Sequence, residues 1–262
     1  MIDYSFPLEE LEYYLLILVR VSAFIFVAPF FGMNTIPRIV KAAFSCFIAM
    51  VIYATITPHI YPAYTTIFEY AIVVMKEAIV GLLVGLGAQF CMLIVSFAGH
   101  IVDTEIGFGM AQLFDPASRM QVTLTGMLYQ YTFFLLFLVT GMYTYLLTAL
   151  SETFTLIPVG QAQLLLYDIY NAFLDFMSNF LIIGFRIALP IFGTTLLLNS
   201  VLGIMAKVSP QMNMFAVGLQ IKVLVGLIVL YLTCALLPVA SNFIFRQMKV
   251  MIVTFVKALG GG

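Results

Sequence analysis

His100, Asp103 and Glu105 fall close together at the end of a long charge-free run. Two carboxylates beside an imidazole could share a proton as an acid–base pair. They lead into Gly107-Phe108-Gly109, a glycine-rich break and not a scaffolded cleft, so a solvated connector face is the expectation. That GxG lacks the rest of a dinucleotide fingerprint, and HExxH, GxSxG and P-loop patterns are absent. His59 and His100 have no metal-type spacing; Cys46, Cys91 and Cys234 lie in apolar runs and read as small buried hydrophobes. No enzyme, cofactor or metal centre is therefore expected. A second set of charges carries more information. Arg20, Arg186 and Lys222 interrupt apolar runs near their middles, where a cation in lipid costs ~2.5–3.5 kcal/mol by the lower estimates. They need partners, and because most acids are terminal or in connectors, some partners are expected on other subunits. Glu77 beside Lys76 is read as an internal ion pair, with a proton relay as the other chemistry available.

The elements that hold these groups belong to a membrane. The 262 residues are 63% hydrophobic and only 9% charged, with mean hydropathy +1.13; a soluble domain is roughly 25% charged. The apolar runs are continuous where a barrel strand would alternate, so the fold class is an all-α membrane protein. A net charge of −1 suggests no nucleic-acid partner. Asp3, Glu9, Glu10 and Glu12 are the reverse of a basic signal-peptide start, so the first apolar run is expected to be kept as a span.

Helices are expected at residues 11–31, 39–57, 70–100, 116–150, 176–207 and 210–237. Pro58 and Pro62 end the second; Pro190 should kink the fifth. Ala78, Gly81 and Gly85 give the small-xxx-small spacing that lets another helix approach. Residues 103–119, between charge-free runs 78–99 and 120–151, hold four charges but also the apolar cluster Phe108, Met110, Leu113 and Phe114. Gly107 and Gly109 let this segment bend; Asp115-Pro116 is an N-cap followed by a first-turn proline, and Ser209-Pro210 repeats the device. Residues 152–175 are acidic and could hold a short interfacial helix. Residues 246–259 are amphipathic, with Arg246, Lys249 and Lys257 opposite Met248, Met251, Ile252 and Phe255, which suits a membrane surface or a partner groove.

Positive charges should orient the spans. Arg38 with Lys41, then Lys207, then the basic tail all call for the cytoplasm, yet one crossing separates the last two. Either one segment is re-entrant or the chain does not sit in lipid as an independent bundle.

Four stretches resemble the FliR/SctT family of flagellar and type III secretion export-gate subunits: LVRVSAFIFVAPFFGMNTIPRIV (18–40), EIGFGMAQLFDPAS (105–118), FRIALP (185–190) and KVSPQMNMFAVG (207–218). The resemblance implies a helical multi-subunit gate, much of it above the bilayer plane, and not a plain spanning bundle. Partners would be FliP-like and FliQ-like subunits, FlhB-like and FlhA-like export components, membrane lipid and transiting unfolded substrates. The place would be the bacterial inner membrane, multi-pass, in a flagellar or injectisome basal body. A single domain, 1–262, would comprise an N-terminal part (1–175) with the plug loop 103–119, a helical hairpin (176–245) and the basic tail (246–262). Carried over by position, Ile106, Phe108, Met110, Leu113 and Phe114 would form the pore plug. Gly107, Gly109, Asp115 and Pro116 would be its hinge and cap, and Lys207, Ser209, Pro210, Gln211 and Asn213 the hairpin turn. Aromatics often stand in the family where this chain has Met110 and Leu113, which implies a softer apolar seal. Arg20, Glu77, Arg186 and Lys222 would be intramembrane or inter-subunit charges. Two other functions fit single features: a stand-alone secondary transporter or channel, from the mid-helix cations and broken helices, and an intramembrane enzyme, from Asp103, Glu105 and His100.

Overall fold

The computed structural model describes residues 8–59, 61, 62, 64, 66–108, 123–163, 166–209, 211 and 213–260. Helices follow one another along the chain: α1 Leu8–Val27, α2 Arg38–Thr55, α3 Ile67–Ile106, α4 Leu124–Val139, α5 Met142–Leu156, α6 Leu166–Val208, α7 Met214–Thr233 and α8 Leu237–Gly260, with a 3-10 turn at Cys234–Leu236. No strand occurs among the described residues. Among the described residues four segments, Arg38–Thr55, Ile67–Ile106, Tyr167–Val208 and Ala216–Gly260, are long and apolar enough to cross a membrane, and α4 with α5, bent by 69° at their break, pass the same test as a pair. The chain is an all-α membrane protein.

Several bounds differ from the expected ones for local reasons. α3 continues past His100 to Ile106 and stops at Gly107, whose φ is +96°. The Phe108 N–H then folds back onto the Asp103 carbonyl at 3.0 Å, the six-to-one bond of a glycine C-cap. The helix expected over 116–150 is two helices among the described residues. Thr123 is extended, so α4 starts at Leu124, and Gly141 at φ +70° ends the run, because a left-handed residue cannot continue a right-handed helix. The interfacial helix expected in 152–175 is the beginning of α6, with Asp168 in its first turn, where the helix dipole favours an acid. α7 starts at Met214 instead of Pro210; Asn213 is the cap, its side chain accepting from the Ala216 N–H at 3.4 Å.

The helices pack as two compact units. The first contains Met1–Cys91, Gly141–Phe176 and Phe245–Gly262. Gly81 and Gly85 of α3 lie against the backbone carbonyls of Arg20 and Phe24 in α1, so close that a Cβ at Gly81 would collide with the Arg20 carbonyl. The small-residue stripe thus serves helix packing, as its spacing suggests. Leu16, Ile17, Val21, Phe24, Val84, Leu150 and Phe154 fill this core. The C-terminal part of α8 joins them: Met248, Met251, Ile252 and Phe255 are buried, with Phe255 against Gly87. The tail's amphipathic pattern is real, but its apolar face is covered by this chain's own core, not left for a membrane surface. Arg246, Lys249 and Lys257 remain exposed, with the Lys249 ammonium 4.5 Å from the Tyr145 ring centre. Lys41 is buried, its Nζ donating to the Gly32 carbonyl at 2.9 Å. It ties down the turn before α2 and is not a free charge for orienting spans.

The second unit contains Met92–Thr140 and Met177–Ile244. Gly99 of α3 meets Gly126 of α4 backbone to backbone, Gly184 of α6 lies under Phe97, and Gly226 of α7 lies under Ile106.

Candidate functional site

In the first unit a buried charge is closed off within the chain. Arg20 and Glu77 are both fully buried, and Arg20 Nε meets Glu77 Oε2 at 2.5 Å. The partner is neither Lys76 nor another subunit. Nη1 of Arg20 donates to the carbonyls of Thr153 at 3.1 Å and Ile157 at 2.9 Å. These lie at the C-terminus of α5, where the dipole is negative; the Thr153 carbonyl also accepts the Ile157 N–H at 2.9 Å, while the Ile157 carbonyl lies just past the last helical turn. The guanidinium also stands 4.3 Å from the Phe154 ring centre, a cation–π distance; its Nη2 has no hydrogen-bond partner among the described residues. Glu77 Oε1 accepts the Gly160 N–H at 2.8 Å. Gly160 has φ +83°, and a Cβ there would meet Pro62 at 2.6 Å, so only glycine presents that N–H. One ion pair therefore joins α1, α3, the end of α5 and the turn after it. The sequence signal for this arrangement was Ile157-Pro158-Val159-Gly160, a helix terminator that must leave carbonyls unpaired.

In the second unit, Asp103 occupies the position that matters. It is buried, not solvated as a connector face would be. Its carboxylate oxygens accept the Thr125 N–H at 3.1 and 3.0 Å, at the first turn of α4, while its carbonyl accepts from Gly107 and Phe108 at 3.1 and 3.0 Å. A single residue thus holds both ends of the segment between Phe108 and Thr123. Glu105 accepts from the Thr195 hydroxyl at 3.0 Å, and His100 is exposed. The two carboxylates are engaged separately, and among the described residues no hydrogen bond joins either of them to His100.

Of the residues assigned to a plug, Ile106 is fully buried against Gly226 and Phe108 is half-buried. Gly107 forms the bend. Gly109, Met110, Leu113, Phe114, Asp115 and Pro116 lie outside the described residues. In the hairpin turn, Lys207 and Gln211 are exposed, Ser209 donates its N–H to the Met205 carbonyl at 2.9 Å, and Asn213 caps α7; Pro210 lies outside the described residues. Arg186 is exposed and Lys222 half-buried; neither has a carboxylate within ion-pair distance among the described residues. No group of three or more potential metal ligands occurs among those residues.

Known proteins similar to this chain agree in kind. It is 31% identical to the flagellar biosynthetic protein FliR of Bacillus subtilis, over 88% of this chain and 90% of that one. Its identity to the FliR of Aquifex aeolicus is 30%, over 87% of each. With the Yop proteins translocation protein T of Yersinia pestis it shares 27%, over 72% of each. The model of the bacterial export proteins, family 1, matches residues 11–248, and the chain belongs to that family.

Proposed function

We propose that this chain is a membrane subunit of a bacterial flagellar or type III protein-export apparatus, which lines and closes the pore that unfolded substrates use to cross the inner membrane. The observation that carries this reading is the family match, which runs through residues 11–248 and so includes both units and the loop. FliP-like and FliQ-like subunits complete the gate, with FlhB-like and FlhA-like components alongside, and the chain carries out no catalysis. Residues 1–175 form the N-terminal part with the loop 103–119, 176–245 the hairpin and 246–262 the basic tail.

The closing element is the apolar segment of that loop. Ile106 roots it in the core, and Phe108, Met110, Leu113 and Phe114 exclude water and ions by dewetting. Gly107 and Gly109 supply the bend, and Asp115 with Pro116 the restart. The clamp at Asp103 supports this: a plug must be fixed at both ends while its middle swings aside. A stand-alone transporter is the less favoured reading, because Arg20 is tied to Glu77 and a helix end and so is not open to a substrate.

Gentle extraction of the tagged chain from its native membrane, with identification of the accompanying proteins, tests the assignment. Recovery with two further small membrane subunits, together with loss of protein secretion when the chain is absent, is expected. A stable single chain that binds a small solute would overturn it.

A further inference from the structure

We propose that the second unit holds a site for an anionic glycerophospholipid, with an acyl chain in a pocket of α4, α6 and the start of α8 and the phosphate on Arg186. The pocket has a volume of about 380 Å³, within the range of roughly 300–1,000 Å³ typical of small-molecule sites. Ile183, Ile187, Pro190, Leu237, Ala240 and Phe243 make it apolar, and Arg186 is the charged residue on its wall.

Three observations select the occupant. The first is depth. Residues 187–206 of α6 form a run of about 20 residues without a charge, bounded by Arg186 and Lys207. As a helix this run rises ~30 Å, the thickness of the hydrocarbon layer, so Arg186 falls at one headgroup level. The second is charge. Among the described residues of this unit the cations are Arg186, Lys207 and Lys222, and the carboxylates are Asp103 and Glu105. Asp103 accepts the Thr125 N–H and Glu105 the Thr195 hydroxyl, so among the described residues of this unit no carboxylate pairs with Arg186, and a lipid phosphate takes that place. The third is the backbone. Pro190 lies inside α6 and has no N–H, which leaves the Arg186 carbonyl without its helical donor and free to accept from a headgroup hydroxyl. A carboxylate from a partner would satisfy Arg186 but leave the apolar pocket empty. A phospholipid supplies anion, hydroxyl and chain together. The inference stands whether or not the chain is an export-gate subunit.

The chain has no tryptophan, and Val239 on the pocket wall is 69% exposed. Val239→Trp therefore places a fluorescent reporter there. The protein is purified with whatever subunits accompany it, placed in phosphatidylcholine nanodiscs, and read as the difference from the unsubstituted protein. Brominated phosphatidylglycerol and brominated phosphatidylcholine are compared as quenchers at equal fractions. A preference of about fivefold for the anionic lipid is expected from one interfacial arginine. Arg186→Gln should remove the preference while leaving quenching by phosphatidylcholine. Ala240→Phe, which fills the pocket, should weaken quenching by both. Equal quenching by the two lipids with Arg186 present overturns the proposal. So does quenching by neither, which would assign Arg186 to a partner's carboxylate if Arg186→Glu also releases the accompanying subunits. Native mass spectrometry of the unsubstituted protein gives a check independent of the reporter. One retained anionic phospholipid, lost in Arg186→Gln, supports the site, and no retained phospholipid refutes it.

Discussion

Replacing Glu77 by alanine leaves the Arg20 guanidinium buried beside two carbonyls with no acid to balance it. Removing one partner of a buried pair costs about 3–5 kcal/mol, and every 1.4 kcal/mol is a factor of ten. The first unit of Glu77→Ala should therefore open at least a hundredfold more often than that of the parent. Part of the loss comes from the Gly160 N–H, which Glu77 Oε1 accepts at 2.8 Å and which would be left unpaired. Cys91 reports the opening directly, since it is fully buried in the same unit. With Cys46 and Cys234 replaced by serine, the rate of maleimide labelling at Cys91 measures how often the core is exposed. Adding Arg20→Ala to Glu77→Ala removes the stranded charge, so the double variant should be less destabilised than the sum of the single ones, with a coupling of about 2 kcal/mol. Additivity within ~0.5 kcal/mol, or an unchanged labelling rate in Glu77→Ala, would refute the claim that this pair holds four segments together.

Three further outcomes follow from the same geometry. Gly81→Val should cost at least about 1–3 kcal/mol by overpacking, because its side chain would meet the Arg20 carbonyl; faster Cys91 labelling is the readout. Gly160→Ala combines a strained φ of +83° with a collision at Pro62 and should cost ~1–3 kcal/mol, visible in the same assay. Asp103→Ala should free the α4 end of the loop, lose about 1–3 kcal/mol of local stability, and raise protease nicking within residues 109–122 about tenfold while leaving Cys91 labelling unchanged.

The class of the protein, its helix-packing stripe and the bend at Gly107 were legible in the sequence, because each depends on composition or on spacing within one helix. Ala78, Gly81 and Gly85 could only face a neighbour together. The breaks were harder to see. Residues 120–151 carry no charge, so hydrophobicity runs unbroken across Gly141, and only the left-handed backbone there separates α4 from α5. The tail showed its amphipathic period but not that its covering partner was Gly87 of the same chain. The two charge sites were hidden because their contacts are distant in sequence. Arg20 and Glu77 are 57 residues apart, and Asp103 and Thr125 are 22 apart. Their partners are mostly backbone groups, whose availability depends on where helices end and not on residue type.

The central claim is that the apolar segment after Gly107 closes a pore. Deleting residues 107–113 and measuring ion leak across the membrane tests it most directly, with recovery of the accompanying subunits as the check on assembly. A leak several-fold above that of the parent, with assembly intact, is the predicted result. An unchanged leak in a fully assembled complex would contradict it.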